Sequence, residues 1–150
     1  MTTQTFADYV ATQDARNTIQ LNVRKWTEML CEALEQNYIE TTIRRQKFFA
    51  VNNGSHDEEY YEKRIAEIKE GKDCYKFEIE TGRKYHKIVQ TDRSGSRSVH
   101  AFVDKKTGEV YKAASFKAPA KHVRFNLCLI TDREWLLENC DWAGGYLYKR

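Results

Sequence analysis

The sequence predicts an α+β fold: a four-stranded antiparallel meander packed against a long N-terminal helix, a second helix and a short C-terminal helix. Apolar residues recur at steps of three and four before residue 70 and again after residue 130, which is the spacing of a helix with one buried face. Between residues 75 and 113 they alternate with polar residues instead, as in half-buried strands. No repeat or linker divides the chain, so we expect one domain over residues 1–150.

The N-terminal half is predicted to hold two amphipathic helices. Asn17 and Thr18 are good N-cap residues, and the apolar stripe after them reaches Tyr38, which corresponds to about five helical turns. We expect this stripe to pack on the core, with contact between identical subunits as the alternative. The second helix is predicted to begin at Ser55, because acidic residues follow it where the helix dipole favours them, and to end at Gly71.

Period-two alternation and turn residues predict the strands. The four strands of the meander are expected at Tyr75–Ile79, Lys84–Gln90, Ser98–Val103 and Val110–Ala113. Gly108 stands where the last hairpin loop needs left-handed backbone. A further strand is favoured at Gln46–Val51, where β-branched and aromatic residues precede a turn.

The last third of the chain is predicted to leave the sheet. Pro119 is the only proline, and we expect the strand that precedes it to end there. Thr131 or Asp132 is predicted to cap a last helix that carries Cys140. Tyr146–Tyr148 then follows a Gly-Gly pair and is expected to add a short edge strand.

The composition is that of a water-soluble globular protein. Hydrophobic residues occupy 41% of the 150 positions, and the mean hydropathy is -0.77, which argues against the disordered and membrane classes. No apolar run approaches the ~20 residues that cross a bilayer, and no secretory leader begins the chain. We therefore expect a cytoplasmic protein. Its four cysteines are scattered without a C-x-x-C pair, which favours free thiols over the alternative of a Cys/His metal site.

Positive charge is concentrated in the middle of the chain. Residues 81–124 hold 11 lysine and arginine residues and 3 acidic ones, whereas residues 1–80 hold 11 and 15. Clustered cations attract phosphate-bearing or acidic surfaces. The basic block therefore predicts an anionic partner, with a merely solvated surface as the simpler alternative.

The segment Val110–Leu127, V-Y-K-A-A-S-F-K-A-P-A-K-H-V-R-F-N-L, carries the predicted binding residues. Its cations are spaced so that four of them can converge on one anion: Lys112, Lys117, Lys121 and Arg124. Phe116 and His122 offer flat faces on which a base can stack, a contact worth about 1–3 kcal/mol per base in single-strand binders. Aromatic residues on neighbouring strands are candidates to extend this surface: Tyr85, His86, His100 and Tyr111.

The same segment, with Arg97–Val103 before it, resembles a region of small tailed-bacteriophage proteins that have no assigned activity. The resemblance covers roughly Tyr85 to Asn126 and depends on one register of a proline, alanines, two lysines and an arginine. It implies a phage origin, residence in the host cytoplasm during infection, and a shared surface rather than a mechanism. At the position of Phe116 a tryptophan is as frequent in that family.

These observations favour binding over catalysis. The first expectation is a phage accessory protein that contacts a host or phage protein through the basic surface, with homodimerisation through the long helix as a further expectation. The alternative is that the same basic and aromatic surface binds single-stranded nucleic acid or a nucleotide.

A metal-dependent nuclease is the second alternative. Asp104-Lys105-Lys106 has the D-x-K spacing of such enzymes, and Asp92 and Glu78 are further candidate carboxylates. The same D-K-K-T-G residues also suit a hairpin turn. The sequence contains no nucleophile motif, no Gly-rich phosphate loop and no zinc-ligand spacing, so we expect no cofactor.

Overall fold

One helix dominates the chain. In this computed structural model, which describes residues 5–52 and 58–148, helix α1 spans Phe6–Asn52 and contains 47 residues. At 1.5 Å per residue it is roughly 70 Å long. None of residues 6–22 is buried, and the first buried residue is Val23. Within the described ranges no helix combines the length and apolar character needed to cross a bilayer.

Helix α1 begins well before the predicted start at Asn17. The Thr5 hydroxyl oxygen accepts a hydrogen bond from the Asp8 N–H at 3.1 Å, which is an N-cap contact. Thr18, a predicted cap, lies inside the helix instead, and its hydroxyl donates to the Asp14 carbonyl at 2.9 Å. Because a threonine side chain can form a hydrogen bond with the preceding turn in this way, a threonine does not have to mark the start of a helix.

The predicted strand at Gln46–Val51 is wrong, because α1 continues through it. A second helix, α2 at Glu58–Lys69, packs against this part of α1 and covers apolar side chains that would otherwise suit a strand. The rings of Phe49 and Tyr61, for example, lie 6.2 Å apart between centroids. The predicted helix start at Ser55 lies outside the described residues.

The sheet contains five antiparallel strands, not four. They are β1 Lys76–Thr81, β2 Tyr85–Thr91, β3 Arg97–Asp104, β4 Glu109–Lys112 and β5 Phe125–Asn126. Neighbours in the chain are neighbours in the sheet, and a β-bulge lies between Ile88 and Val89. The first four strands fall within two residues of their predicted bounds. The predicted α+β class is confirmed, because helices precede and follow the strands of an antiparallel sheet along the chain.

The fifth strand arises because the chain returns to the sheet after Pro119. Pro119 forms an isolated antiparallel bridge with Ala113, and the Ala120 N–H donates to the Lys112 carbonyl at 2.7 Å. The chain then runs back along β4, where Phe125 pairs with Val110. The expectation that it leaves the sheet at Pro119 is therefore wrong.

The C-terminal region ends in a helix and a short 3-10 turn. Helix α3 spans Ile130–Asn139 and has no side-chain N-cap. The Asp132 carboxylate, a predicted cap, accepts instead from the Asn126 N–H at 2.9 Å and so ties α3 to β5. The predicted edge strand at Tyr146–Tyr148 is replaced by a 3-10 helix at Gly145–Leu147.

The hydrophobic core lies between α1, α3 and one face of the sheet, which we call the core face. Helix α1 contributes Val23, Leu30, Cys31 and Leu34, and the sheet contributes Phe77, Ile88, Ala101, Val103 and Val110. Leu127, Leu136, Cys140 and Leu147 close it from the C-terminal side. All four cysteines are unpaired thiols, and Cys31 and Cys140 are buried.

The opposite face of the sheet, the outer face, buries a smaller set. Phe102 alternates with the core residues Ala101 and Val103, so its side chain lies on the outer face, where it is fully buried. The ring of Tyr85 meets it edge-on at 5.6 Å between centroids. Tyr111 is its partner on β4. Aromatic side chains therefore line this face near the start of β2.

Candidate functional site

The structure does not bring the six predicted binding residues onto one surface. The Lys112 ammonium lies 4.8 Å from the centre of the Tyr148 ring, and Lys112 pairs with Ala101 of the core face. The Phe116 ring lies on the outer face, where the Lys87 ammonium is 4.9 Å from its centre. These two members of the predicted site are therefore on opposite sides of the sheet.

Arg124 donates hydrogen bonds to three backbone carbonyls of its own chain. Its Nε donates to the Leu147 carbonyl at 2.7 Å, and its Nη1 donates to the carbonyls of Lys121 and His122 at 2.8 and 2.6 Å. The guanidinium thus joins the loop after Pro119 to the C-terminal 3-10 helix. These bonds use Nε and Nη1, and the expectation that Arg124 contacts a partner stays a prediction.

The remaining three predicted residues are exposed on the loop. Lys117, Lys121 and His122 are all exposed, and His122 adopts a left-handed φ of +75°. Of the residues expected to extend the aromatic surface, His86 and His100 are buried. Tyr85 and Tyr111 remain available on the outer face.

A stronger concentration of cations lies elsewhere, in what we call the basic cleft. It runs between α1 and the β1–β2 and β3–β4 turns. Three adjoining cavities, of about 410, 560 and 380 Å³, make up the cleft and share Gln20 of α1. Its lining includes six cations, namely Arg16, Arg24, Arg83, Lys84, Lys105 and Lys106.

Most of these charges are not neutralised by the protein. Within residues 5–52 and 58–148, Arg24 alone of the six forms an ion pair, with Glu28 at 2.9 Å. Asp104 is the one acidic residue that lines the cleft in the same ranges. Its Oδ1 already accepts from the N–H groups of Lys106 and Thr107 at 2.8 and 3.1 Å. The cleft therefore presents a surplus of positive charge.

The same hydrogen bonds give Asp104 a role in the turn. A carboxylate that accepts from residues two and three ahead stabilises a tight turn, which is the simpler explanation of the D-K-K-T-G segment. Asp92 is used alike, since its Oδ1 accepts from Ser94 and Ser96. Across the described parts of the chain, no three His, Cys, Asp or Glu residues are grouped so as to hold a metal.

His86 forms part of the cleft wall. It is only 4% exposed and lines the 560 Å³ cavity beside Arg24 and Lys105. Its Nδ1 lies 2.8 Å from the Thr81 hydroxyl oxygen, which also accepts from Arg24 Nη1 at 2.8 Å. Burial and the nearby charges of Arg24 and Lys105 lower the pKa of His86 to about 4. The imidazole is therefore neutral at pH 7.

An aromatic strip continues from the cleft onto the outer face. Lys84 lines the cleft, and its ammonium also lies 5.3 Å from the centre of the Tyr85 ring. Tyr85 meets Tyr111 at 6.2 Å between centroids. Phe116, 41% exposed, lies farther along beside Lys87. We call Tyr85, Tyr111 and Phe116 the aromatic strip.

A comparison with protein-family models matches residues 6–149 to the family of unknown function DUF7717. The chain belongs to that family. No curated protein and no solved structure matches this DUF7717 chain. Every residue of the cleft and of the strip falls within the matched range.

The cleft of the DUF7717 chain was detectable in part from sequence. In an antiparallel sheet whose strands follow in order, the β1–β2 and β3–β4 turns lie at the same end. The pairs Arg83-Lys84 and Lys105-Lys106 belong to those two turns, so their proximity follows from the predicted meander. Nothing in the local pattern indicates that Arg16 and Arg24 of α1 reach the same end.

Proposed function

We propose that this protein acts by binding single-stranded nucleic acid through the basic cleft and the aromatic strip. The observation that carries the proposal is the set of six cations in one cleft, with a single ion pair among them in the described residues. Unpaired lysine and arginine side chains attract the phosphate backbone, and their neutralisation of phosphates releases counterions.

The aromatic strip favours a single strand over a duplex. Bases stack on exposed rings only when they are unpaired. Tyr85 and Phe116 each have a lysine ammonium close to the ring, so a phosphate and a base of the same strand can be held side by side. Lys84 belongs to both surfaces, which makes one path from the cleft to the strip.

Equilibrium binding of a labelled dT oligomer of about 20 nucleotides, followed by fluorescence anisotropy at increasing KCl, tests the proposal. The cleft variant is Arg83→Gln/Lys84→Gln/Lys106→Gln. Its control has the same change in charge, Lys47→Gln/Lys63→Gln/Lys69→Gln, at exposed positions of α1 and α2.

We expect the cleft variant to bind at least about tenfold more weakly. Its slope of log affinity against log salt should fall by about 2, since each phosphate contact with a single strand contributes roughly 0.7. The control should bind like the wild type. Absence of binding at low salt, or equal weakening by both variants, overturns the proposal.

A protein partner is the second candidate, and one observation favours it. Residues 6–22 of α1 contain no buried residue. Two of their large apolar side chains, Phe6 and Leu21, are 83% and 71% exposed. Apolar side chains of this size on an exposed helix suit contact with a second copy or with another phage or host protein. Light scattering over a range of protein concentrations measures the mass, and a constant monomer mass would exclude self-association.

A further inference from the structure

The wall of the largest cleft cavity holds a directed hydrogen-bond donor. Thr81 Oγ1 accepts a hydrogen bond from Arg24 Nη1, and the acceptor that the structure offers for the Thr81 hydroxyl proton is Nδ1 of His86 at 2.8 Å. With Nδ1 accepting, the neutral imidazole carries its proton on Nε2. This assignment of the Thr81 hydroxyl proton makes Nε2–H the donor that His86 presents.

The Nε2–H of His86 has no acceptor in the described parts of the protein. No hydrogen bond to this atom is found, and the sole fully enclosed unpaired side-chain nitrogen or oxygen atom there is Oε1 of Gln46. His86 is nevertheless 96% buried, since its exposed fraction is 4%, and it lines the 560 Å³ cavity. Its remaining access is therefore through that cavity. A buried donor without a partner costs free energy unless a ligand or water satisfies it.

Two cations line the same cavity as His86. Arg24 uses Nε for Glu28 and Nη1 for Thr81, which leaves Nη2 without a hydrogen bond to the described residues. The Lys105 ammonium donates to the carbonyls of Gly82 and Arg83 at 3.2 and 3.5 Å and keeps a third proton. Three nitrogen donors with two positive charges therefore line one cavity.

We propose that Arg24, His86 and Lys105 form a phosphate-binding subsite of the cleft. A phosphate group is a tetrahedral anion with several acceptor oxygens, so it can accept from all three side chains at once. The cavity of about 560 Å³ is large enough to hold the sugar attached to that phosphate as well. This inference deepens the proposed function, on which it rests for the nucleic-acid source of the phosphate.

The subsite has a spectroscopic signature. Charged or ionisable groups near the His86 ring are Arg24 and Glu28 of α1 and Lys105 of the β3–β4 turn, and Thr81 of β1 contacts Nδ1. The two cations and burial keep the pKa of His86 near 4. A bound phosphate adds negative charge beside Nε2, favours the imidazolium and raises this pKa.

Nuclear magnetic resonance titration of the His86 ring in chloride buffer tests the subsite. The His86 signals are assigned by their loss in His86→Gln. The probes are inorganic phosphate and dT oligomers with and without a 5′-phosphate. We expect each probe that binds to shift the His86 signals and raise its pKa by about one unit or more, whereas chloride alone leaves both unchanged.

Two variants separate the subsite from general electrostatic attraction. Lys105→Gln should weaken phosphate binding, read at His86, by about tenfold, which is about 1.4 kcal/mol. The control Lys63→Gln removes a cation on α2, near Tyr61, whose partner Phe49 lies roughly 37 Å along α1 from Arg24. Lys63→Gln should leave phosphate binding, read at His86, unchanged.

The experiments distinguish failure of the phosphate-binding subsite from failure of nucleic-acid binding. Oligomers that bind without shifting His86, or that bind Lys105→Gln as they bind the wild type, overturn the subsite and leave nucleic-acid binding intact. Phosphate that shifts His86 in a protein that binds no oligomer supports the subsite and overturns nucleic-acid binding. A preference for the 5′-phosphorylated oligomer identifies a terminal phosphate, and equal binding identifies a backbone phosphate.

Discussion

Individual arginine and lysine side chains in this protein have different structural roles, and the net charge of the surrounding sequence does not reveal which role each one has. Arg124 stands in the most basic stretch of the chain, yet its guanidinium is used by three backbone carbonyls. Arg16 and Arg24 stand in the acidic N-terminal part and line the cleft. The folded position of a cation, and not the charge of its segment, decides whether it meets a ligand.

Arg124 supplies the prediction at this scale. Arg124→Gln removes a charged donor from carbonyls that no other described side chain satisfies, and should lower the free energy of unfolding by about 1.5–3 kcal/mol. Urea denaturation measures this loss. Lys121→Gln, an exposed neighbour, should stay within about 0.5 kcal/mol of the wild type. An Arg124→Gln protein of unchanged stability that binds oligomers more weakly would instead support the anion-facing role.

Residue roles were only partly predictable from sequence. Tyr85 and Tyr111 lie together on the outer face, but strand alternation cannot tell which face a helix will cover. The sequence predicts that His86 extends a stacking surface, whereas the side chain is buried and lines a cavity beside α1. The contact that gives it this role, through Thr81 to Arg24, joins residues 57 positions apart.

At the scale of elements, the four strands of the meander and their turns were predicted more accurately than the helix ends. Each predicted strand of the meander has a period of two and a turn with glycine, and these signals are local. The end of α1 has a mixed signal. Its inward positions Thr42 and Gln46 are polar, so hydrophobic periodicity fades there, and packing on α2 decides the structure. The two-residue strand β5 is too short to show any period.

The β3–β4 turn provides a prediction at this scale. Gly108 has a φ of +76°, and a Cβ there would lie 2.9 Å from Cys128 Sγ. Gly108→Ala should lower the free energy of unfolding by roughly 1–2 kcal/mol through the strain of left-handed backbone. The clash with Cys128 should lower it further. Gly95 has a φ of +91° with nothing within 4 Å, so Gly95→Ala should show the strain alone.

Thermal denaturation of both alanine variants checks this difference. Gly108→Ala should melt at a lower temperature than Gly95→Ala, and adding Cys128→Ala to Gly108→Ala should recover part of the loss. Equal melting temperatures for the two single variants would show that the chain between β5 and α3 moves away at little cost.

Two histidines, His86 in the cleft wall and His100 on β3, are buried. Burial lowers the pKa of His100 to about 4, and its Nε2 lies 2.7 Å from the Tyr146 hydroxyl. His86 has a similarly lowered pKa for the reasons given above. Both folded-state values lie below the ordinary histidine value of 6.5.

These two histidines predict a loss of stability in acid. Below pH 6.5 these histidines are protonated in the unfolded chain but stay neutral in the folded protein. The free energy of unfolding therefore falls as the pH falls towards 4. The loss is at most roughly 3 kcal/mol for each histidine. Urea denaturation at pH 7 and pH 5 measures it, and His86→Gln should show a smaller difference. A variant with the wild-type difference would assign the acid sensitivity to other groups.

The first part of α1, which contains no buried residue before Val23, bears on how the proposed ligand is held. One wall of the basic cleft belongs to a helix that no buried side chain anchors before Val23, while the other wall belongs to the hairpin ends of the sheet. In the proposed function, a nucleic-acid strand between them would contact both walls, because its phosphates can bind cations of either one. If the proposed function holds, ligand binding should therefore fix the first part of α1 against the hairpin ends of the sheet.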